Sequence, residues 1–303
     1  MKAQYENLVM SSFMLYVDHK VSTKGEAYSN ASGYFYPIEN LYNGYYTYSC
    51  PYKQLVCDSG IAGNVSSTPP DLMSGIYIDS VFTPTGTNGF IGINHHEGQV
   101  YFNKDMSAST LSGEFSVKDY NVKITSEAEE ELIFETKFSV RPKTTETPTG
   151  LSSATQTYPA IYLKNNGVTN EPFAFGGEDT TRINARAIVM SDSAFGLDAA
   201  CSILKDLNNS NVPILEESEI PFNALGMSTG NWTINANGDN RPGIGYNYTG
   251  VTQGKTLAGE SVYISDTFVS KIIANRGDFQ NINTDVYTAF VDFSLEKQRF
   301  PRV

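Results

Sequence analysis

Val286-Tyr287-Thr288-Ala289-Phe290-Val291-Asp292-Phe293-Ser294-Leu295-Glu296 is the clearest strand in the chain and fixes the reading of the fold. Tyr287, Ala289, Val291, Phe293 and Leu295 alternate with Thr288, Phe290, Asp292, Ser294 and Glu296. That two-residue period belongs to a strand with one buried face. Residues 181–190 repeat it, with Ile183, Ala185, Ala187 and Val189 set against Arg182, Asn184 and Arg186. Asp192 or Ser193 then caps a helix near 194–207 whose buried stripe is Leu197, Ala200, Cys201, Leu204 and Leu207. Upstream, Tyr158-Pro159-Ala160-Ile161-Tyr162-Leu163 reads as a short strand ended by a turn at Asn165-Asn166-Gly167. Glu171 to Gly177 reads as a bend. Residues 216–259 are Gly/Asn-rich and irregular, and β character returns over 260–275.

Towards the N-terminus, Tyr5, Leu8, Val9, Phe13, Tyr16 and Val17 line one face of a helix over 4–20, with Gly25 as its stop. Residues 26–70 hold eight tyrosines among Ser, Asn, Gly and Pro, and read as an irregular loop. From 74 to 141 the pattern is antiparallel β. Turns are expected at Thr87-Asn88-Gly89, Glu97-Gly98 and Ser126–Glu130, and a strand over 132–140. The expected fold is α+β, predominantly antiparallel β, its sheet packed by an N-terminal helix and the helix near 194–207. Its expected domains are 1–141 and 158–303, joined by a Pro/Thr-rich linker at 142–157.

The 303 residues carry a net charge of −12, which argues against a broad basic nucleic-acid face. Charged residues are 18%, with 19 Tyr and 17 Phe, a mix that suits surfaces covered by neighbours. No run reaches the ~18 apolar residues of a membrane span. Cys50, Cys57 and Cys201 are odd in number and wrongly spaced for a disulfide framework or a CxxC site, so free thiols are expected.

No motif names a reaction. His95 and His96 are adjacent, and on a strand they would point to opposite faces, so no metal site is expected; His19 lies far off in sequence. Gly254-Lys255-Thr256 lacks the leading glycine of a phosphate loop, because position 249 is Thr249. Glu129, Glu130 and Glu131 read as a solvated turn, and no GxSxG elbow occurs. The expectation is no catalytic residue, no cofactor and no metal. Tyr34, Tyr36, Tyr45, Tyr46 and Tyr48, apolar but with a hydroxyl, are the expected subunit interface. Arg182 and Arg186 either reach carboxylates of an adjoining subunit or stand as exposed strand charges.

Three runs give the chain its likeness to structural proteins of long-tailed phage virions: Met1-Lys2-Ala3-Gln4-Tyr5-Glu6-Asn7, Thr157 to Leu163, and Glu171 to Gly177. A narrower likeness lies in layout. Phage tail-terminator proteins begin with a helix, place a Tyr-Pro-type strand before a longer strand, pack a helix on the sheet and finish on a strand. Tyr158-Pro159, 181–190, 194–207 and 286–296 resemble that order. The resemblance implies a non-enzymatic virion subunit forming a six-fold ring in the neck, joining tail tube to head-to-tail connector. Its partners would be copies of itself and tail-tube, sheath or connector proteins, with DNA at most passing through a channel and no membrane. The chain departs from the family at 26–150, much longer than the usual early loops. A second reading of the same tyrosines is a receptor- or carbohydrate-binding β-sandwich module of a tail fibre, baseplate or capsid decoration.

Overall fold

The computed structural model describes residues 4–38, 44–52, 54–65, 68–129, 132, 138–140, 156–172, 179–222, 227, 245–255, 261–272 and 286–299. Helix α1 is Tyr5–Lys24. Then come β1 (Tyr28–Tyr34), β2 (Tyr36–Pro37), β3 (Tyr46–Ser49), a 3₁₀ turn at Ser59–Ile61, β4 (Gly75–Ile78), β5 (Val81–Pro84), β6 (Phe90–Asn94), β7 (Gln99–Phe102) and β8 (Leu111–Lys118). β9 (Asn121–Ile124), β10 (Phe138–Val140), β11 (Gln156–Tyr158), β12 (Ala160–Pro172) and β13 (Asp179–Ser191) follow. The chain continues through α2 (Ala194–Lys205), β14 (Asn211–Pro213), α3 (Tyr248–Val251), β15 (Ser261–Lys271) and β16 (Tyr287–Arg299).

β16 lies inside a six-stranded sheet ordered β14-β15-β16-β13-β12-β9, antiparallel except where β9 runs parallel to β12. The alternation seen in sequence sets which face is covered. Ile183, Ala185, Ala187 and Val189 of β13 join Ala289, Val291, Phe293 and Leu295 of β16 beneath α1 and α2. The Phe13 ring meets Phe293 edge-on at 5.1 Å, the geometry aromatic quadrupoles favour. On the other face Ala160, Tyr162, Ile188 and Met190 gather with Phe290 around Leu132. Ser193 caps α2 as expected, its Oγ accepting from the Gly196 N–H at 3.1 Å.

Strands β1 to β8 build a second unit. Sheet β1-β8-β4-β5 and sheet β2-β3-β7-β6 enclose a common core. Ile76, Ile78, Phe115 and Val117 come from the first, and Tyr48, Phe90, Val100 and Phe102 from the second. Two sheets that share an apolar filling in this way form a small sandwich. β8 ends at Lys118 and β9 starts at Asn121, so the chain steps from this unit into the large sheet within two residues.

Several expectations change. The tyrosine-rich stretch is not one irregular loop: β1, β2 and β3 lie in it, too short or too polar to show a period. The expected turn at Asn165-Asn166-Gly167 is a β-bulge inside one 13-residue strand, the register shifting between Asn165 and Val168. Gly167 supplies the left-handed φ of +133 there, which a side chain would resist. Leu132 sits in a helical turn, its N–H bonded to the Ala128 carbonyl, and not at the start of a strand; positions 133–137 lie outside the described residues. The expected linker at 142–157 also lies outside them except for 156–157, which belong to β11. The expected boundary does not divide the cores. α1, Tyr120 and Val122 share one core with β12, β13, α2, β14, β15 and β16, so the first helix belongs with the C-terminal sheet.

α1 differs too. From Val9 onward it is buried on nearly every side, Asp18 and His19 included, while Tyr5 and Leu8 are only partly covered. A helix between a sheet, a second helix and the small sandwich has no solvent face to mark with polar residues.

Candidate functional site

The outer face of the β1-β8-β4-β5 sheet carries an open groove of about 530 Å³. Register builds it. Ser112 of β8 pairs with Tyr34 on one side and Tyr77 on the other, and Tyr77 pairs with Phe82. Strands lie ~4.8 Å apart, so the two tyrosines stand roughly 10 Å apart with a small side chain between them. Tyr34 is 56% and Phe82 44% exposed. Ser32 faces Glu114 in the next cross-strand row. The Tyr77 hydroxyl donates to Glu114 Oε2 at 3.4 Å, and its ring meets Phe82 edge-on at 5.4 Å. Gly75 makes room for the Phe82 ring: a Cβ there would lie 2.6 Å from it. Tyr36, Pro51 and Tyr52 complete the wall. Among the described residues of the lining, Glu114 is the only charge.

A second groove of about 540 Å³ shares Tyr52 and runs past Asn30, Asp119, Tyr120 and Asp192. The Tyr120 hydroxyl donates to Ser191 Oγ at 2.9 Å, and burial pushes its pKa up to about 12.

The seven interface candidates fall in four places. Tyr34 and Tyr36 line the first groove. Tyr45 is half-buried, and Tyr46, 36% exposed, opens β3. Tyr48 is a core residue, 3% exposed; its hydroxyl donates to Asp105 at 2.9 Å and accepts the Met106 N–H at 2.7 Å, so it offers a neighbour no surface. Arg182 and Arg186 take their carboxylates from their own chain, because register sets Glu296 and Asp292 opposite them. Arg186 also grips Glu129 at 3.0 Å and lies over the Phe290 ring, so Glu129 is no solvated turn residue.

The histidines behave differently from the sequence expectation. His95 and His96 lie in the turn between β6 and β7 and not on a strand. His95 is fully buried; burial, then the Lys118 charge, lowers its pKa to about 3 and keeps it neutral. His96 packs edge-on against Phe222 at 4.6 Å. His19 meets Asp58, Nδ1 to Oδ2, at 2.6 Å and stacks on Tyr248. A histidine–aspartate pair supplies two of the three members of a catalytic triad. Here it is buried under α1, and the other Asp58 oxygen accepts the N–H groups of Gly60 and Tyr248 at 2.8 and 2.9 Å. The neighbouring Cys57 thiol is pushed up to about 12 by burial, and Cys201 to about 11, so both stay protonated. Beside this pair, Lys118 Nζ meets both Asp18 oxygens at 2.6 and 2.7 Å. Burial alone would lower the Lys118 pKa, but Asp18 raises it above the ordinary lysine value. These contacts bolt α1 to the small sandwich. Among the described residues no three His, Cys, Asp or Glu side chains come together to hold a metal.

Sequence reasoning passed over Tyr52, Tyr77 and Glu114. For Tyr77 the available signal was its place between Ile76 and Ile78, on the solvent side of an apolar strand.

Neither a scan against protein-family models nor a search of curated proteins finds a match to this chain.

Proposed function

We propose that the chain is a structural subunit of a tailed-phage virion that assembles into a ring in the neck, as tail terminator or head-to-tail connector. The observation that carries this reading is layout. A leading helix, β12 after Tyr158-Pro159, β13 of the same 13-residue length, the helix α2 and the closing strand β16 follow in that order, the strands in one sheet and both helices on one face of it. That is the order the resemblance describes.

Surface chemistry supports it. A closed ring is made by contacts between two unlike patches on each copy. Tyr46, at 36%, and Val81, at 67%, stand exposed on the small sandwich, and Phe268, at 63%, and Tyr263, at 42%, on the six-stranded sheet. Exposed aromatic side chains of this kind are what interface cores use, and the Arg182–Glu296 and Arg186–Asp292 pairs in the same cross-strand rows as Tyr263 and Phe268 suit a polar rim. In this reading the partners are further copies and neighbouring tail-tube, sheath or connector proteins, and DNA only passes through.

Mass measurement on the purified chain, alone and with tail tubes, tests the reading. The expected result is a hexamer that caps tubes, with a Tyr45→Ser/Tyr46→Ser variant dissociating at higher concentration than wild type while its unfolding midpoint holds. A chain that stays monomeric at every concentration, with and without tubes, would overturn it.

A further inference from the structure

We infer that the groove between Tyr34 and Tyr77 is a binding site for a neutral oligosaccharide. This rests on the groove alone and stands whether or not the chain forms a ring.

The cross-strand row supplies the shape. Two tyrosines flank Ser112, and Phe82 extends the aromatic side. Aromatic faces stack against the C–H faces of a sugar ring, while the hydroxyls of that ring need donors and acceptors in plane with it. Ser32, Ser112 and Glu114 provide these at the floor. An apolar-faced ligand rimmed with hydroxyls is the chemistry that matches both sets.

Charge narrows the class. Among the described lining residues there is no lysine or arginine to meet a phosphate or carboxylate. Tyrosines beside one carboxylate also suit a quaternary ammonium. Such a cage closes round one methylated nitrogen, whereas this is an open trough of about 530 Å³, within the ~300–1,000 Å³ of sites that hold larger ligands. The site is also pre-formed. Its floor is a paired sheet, and Tyr77 is held by Phe82 and by its bond to Glu114, so little ordering is left for binding to impose.

The test is titration of the whole chain with maltotriose, cellotriose and chitotriose, and separately with tetramethylammonium, followed by calorimetry and by tyrosine ring signals in NMR. The expected result is saturable binding of at least one trisaccharide, weakened about tenfold or more by Tyr34→Ala and by Tyr77→Ala. Tyr263→Ala, at an exposed tyrosine of the other sheet, should bind as wild type does. Glu114→Gln, on an exposed side chain, checks the site without touching the core and should shift the affinity only about threefold or less, because an amide still bonds hydroxyls. Absence of saturation with all three sugars, binding indifferent to Tyr34 and Tyr77, or saturation by tetramethylammonium alone would overturn the inference. Ring assembly is read separately by mass, so loss of one property does not stand in for loss of the other.

Discussion

The six-stranded sheet and the small sandwich solve the same problem with opposite means. In the large sheet, β12, β13 and β16 run 13 residues each, and the covered side is signalled by a simple alternation. In the sandwich the strands are two to eight residues long, and the apolar side chains come from many short pieces. The first is secured by two helices laid on one face. The second is secured by two thin sheets facing each other, and it leaves Tyr34, Tyr36 and Tyr77 along an outer groove. Long strands concentrate their stabilisation in local register. Short ones depend on closing long loops, so each strand contributes little without the rest.

The bolt between the two units offers the strongest way to break this contrast. Asp18→Ala leaves the Lys118 ammonium buried without its partner, which costs about 3–5 kcal/mol. Denaturant unfolding should show the midpoint fall, and Asp18→Leu with Lys118→Met should recover most of it. If the single variant changes nothing, the two units do not depend on that contact.

Acid sharpens the comparison from the sandwich side. His95 has a pKa of about 3 folded and ~6.5 unfolded, so below ~6.5 the unfolded chain binds the extra proton. Stability from this group is complete above ~6.5, falls as pH drops, and levels off below about 3. Between pH 7 and 4.5 the loss is roughly 2–3 kcal/mol. A His95→Leu variant followed by urea titration across that range should lose much of the slope; an unchanged slope would assign the acid sensitivity elsewhere.

The smallest effect belongs to the large sheet. Ser193→Ala removes the α2 cap and should lower stability by ~1 kcal/mol, read as a shift in thermal midpoint. Because α2 is held by Leu197, Ala200, Cys201 and Leu204 in the main core, the helix itself should persist in circular dichroism.

Much of the large sheet could be read from the chain. The alternations at 183–189 and 287–295 identify strands because each has a covered and an open side. Leu197 to Leu207 identify α2 because that helix has a solvent face. The reading failed where such contrast is missing. α1 is covered almost all round, so the stripe read from Tyr5 to Val17 gave no sign that Asp18 and His19 are buried. Tyr48 and Tyr46 sit two apart in one strand and look alike in sequence, yet one fills the core and the other opens to solvent. The groove was invisible because it is a row across strands. Tyr34, Ser112 and Tyr77 are brought together by pairing that no local pattern encodes.

The amino-acid order by itself determined the class of fold, the helices α1 and α2 and the strands β13 and β16, since periodicity is a local property that burial writes directly into neighbouring residues. Only the tertiary structure decided which ionisable groups meet in the interior and which tyrosines stand together outside. Those depend on register between segments up to a hundred residues apart, and register is set by the closing of the whole core.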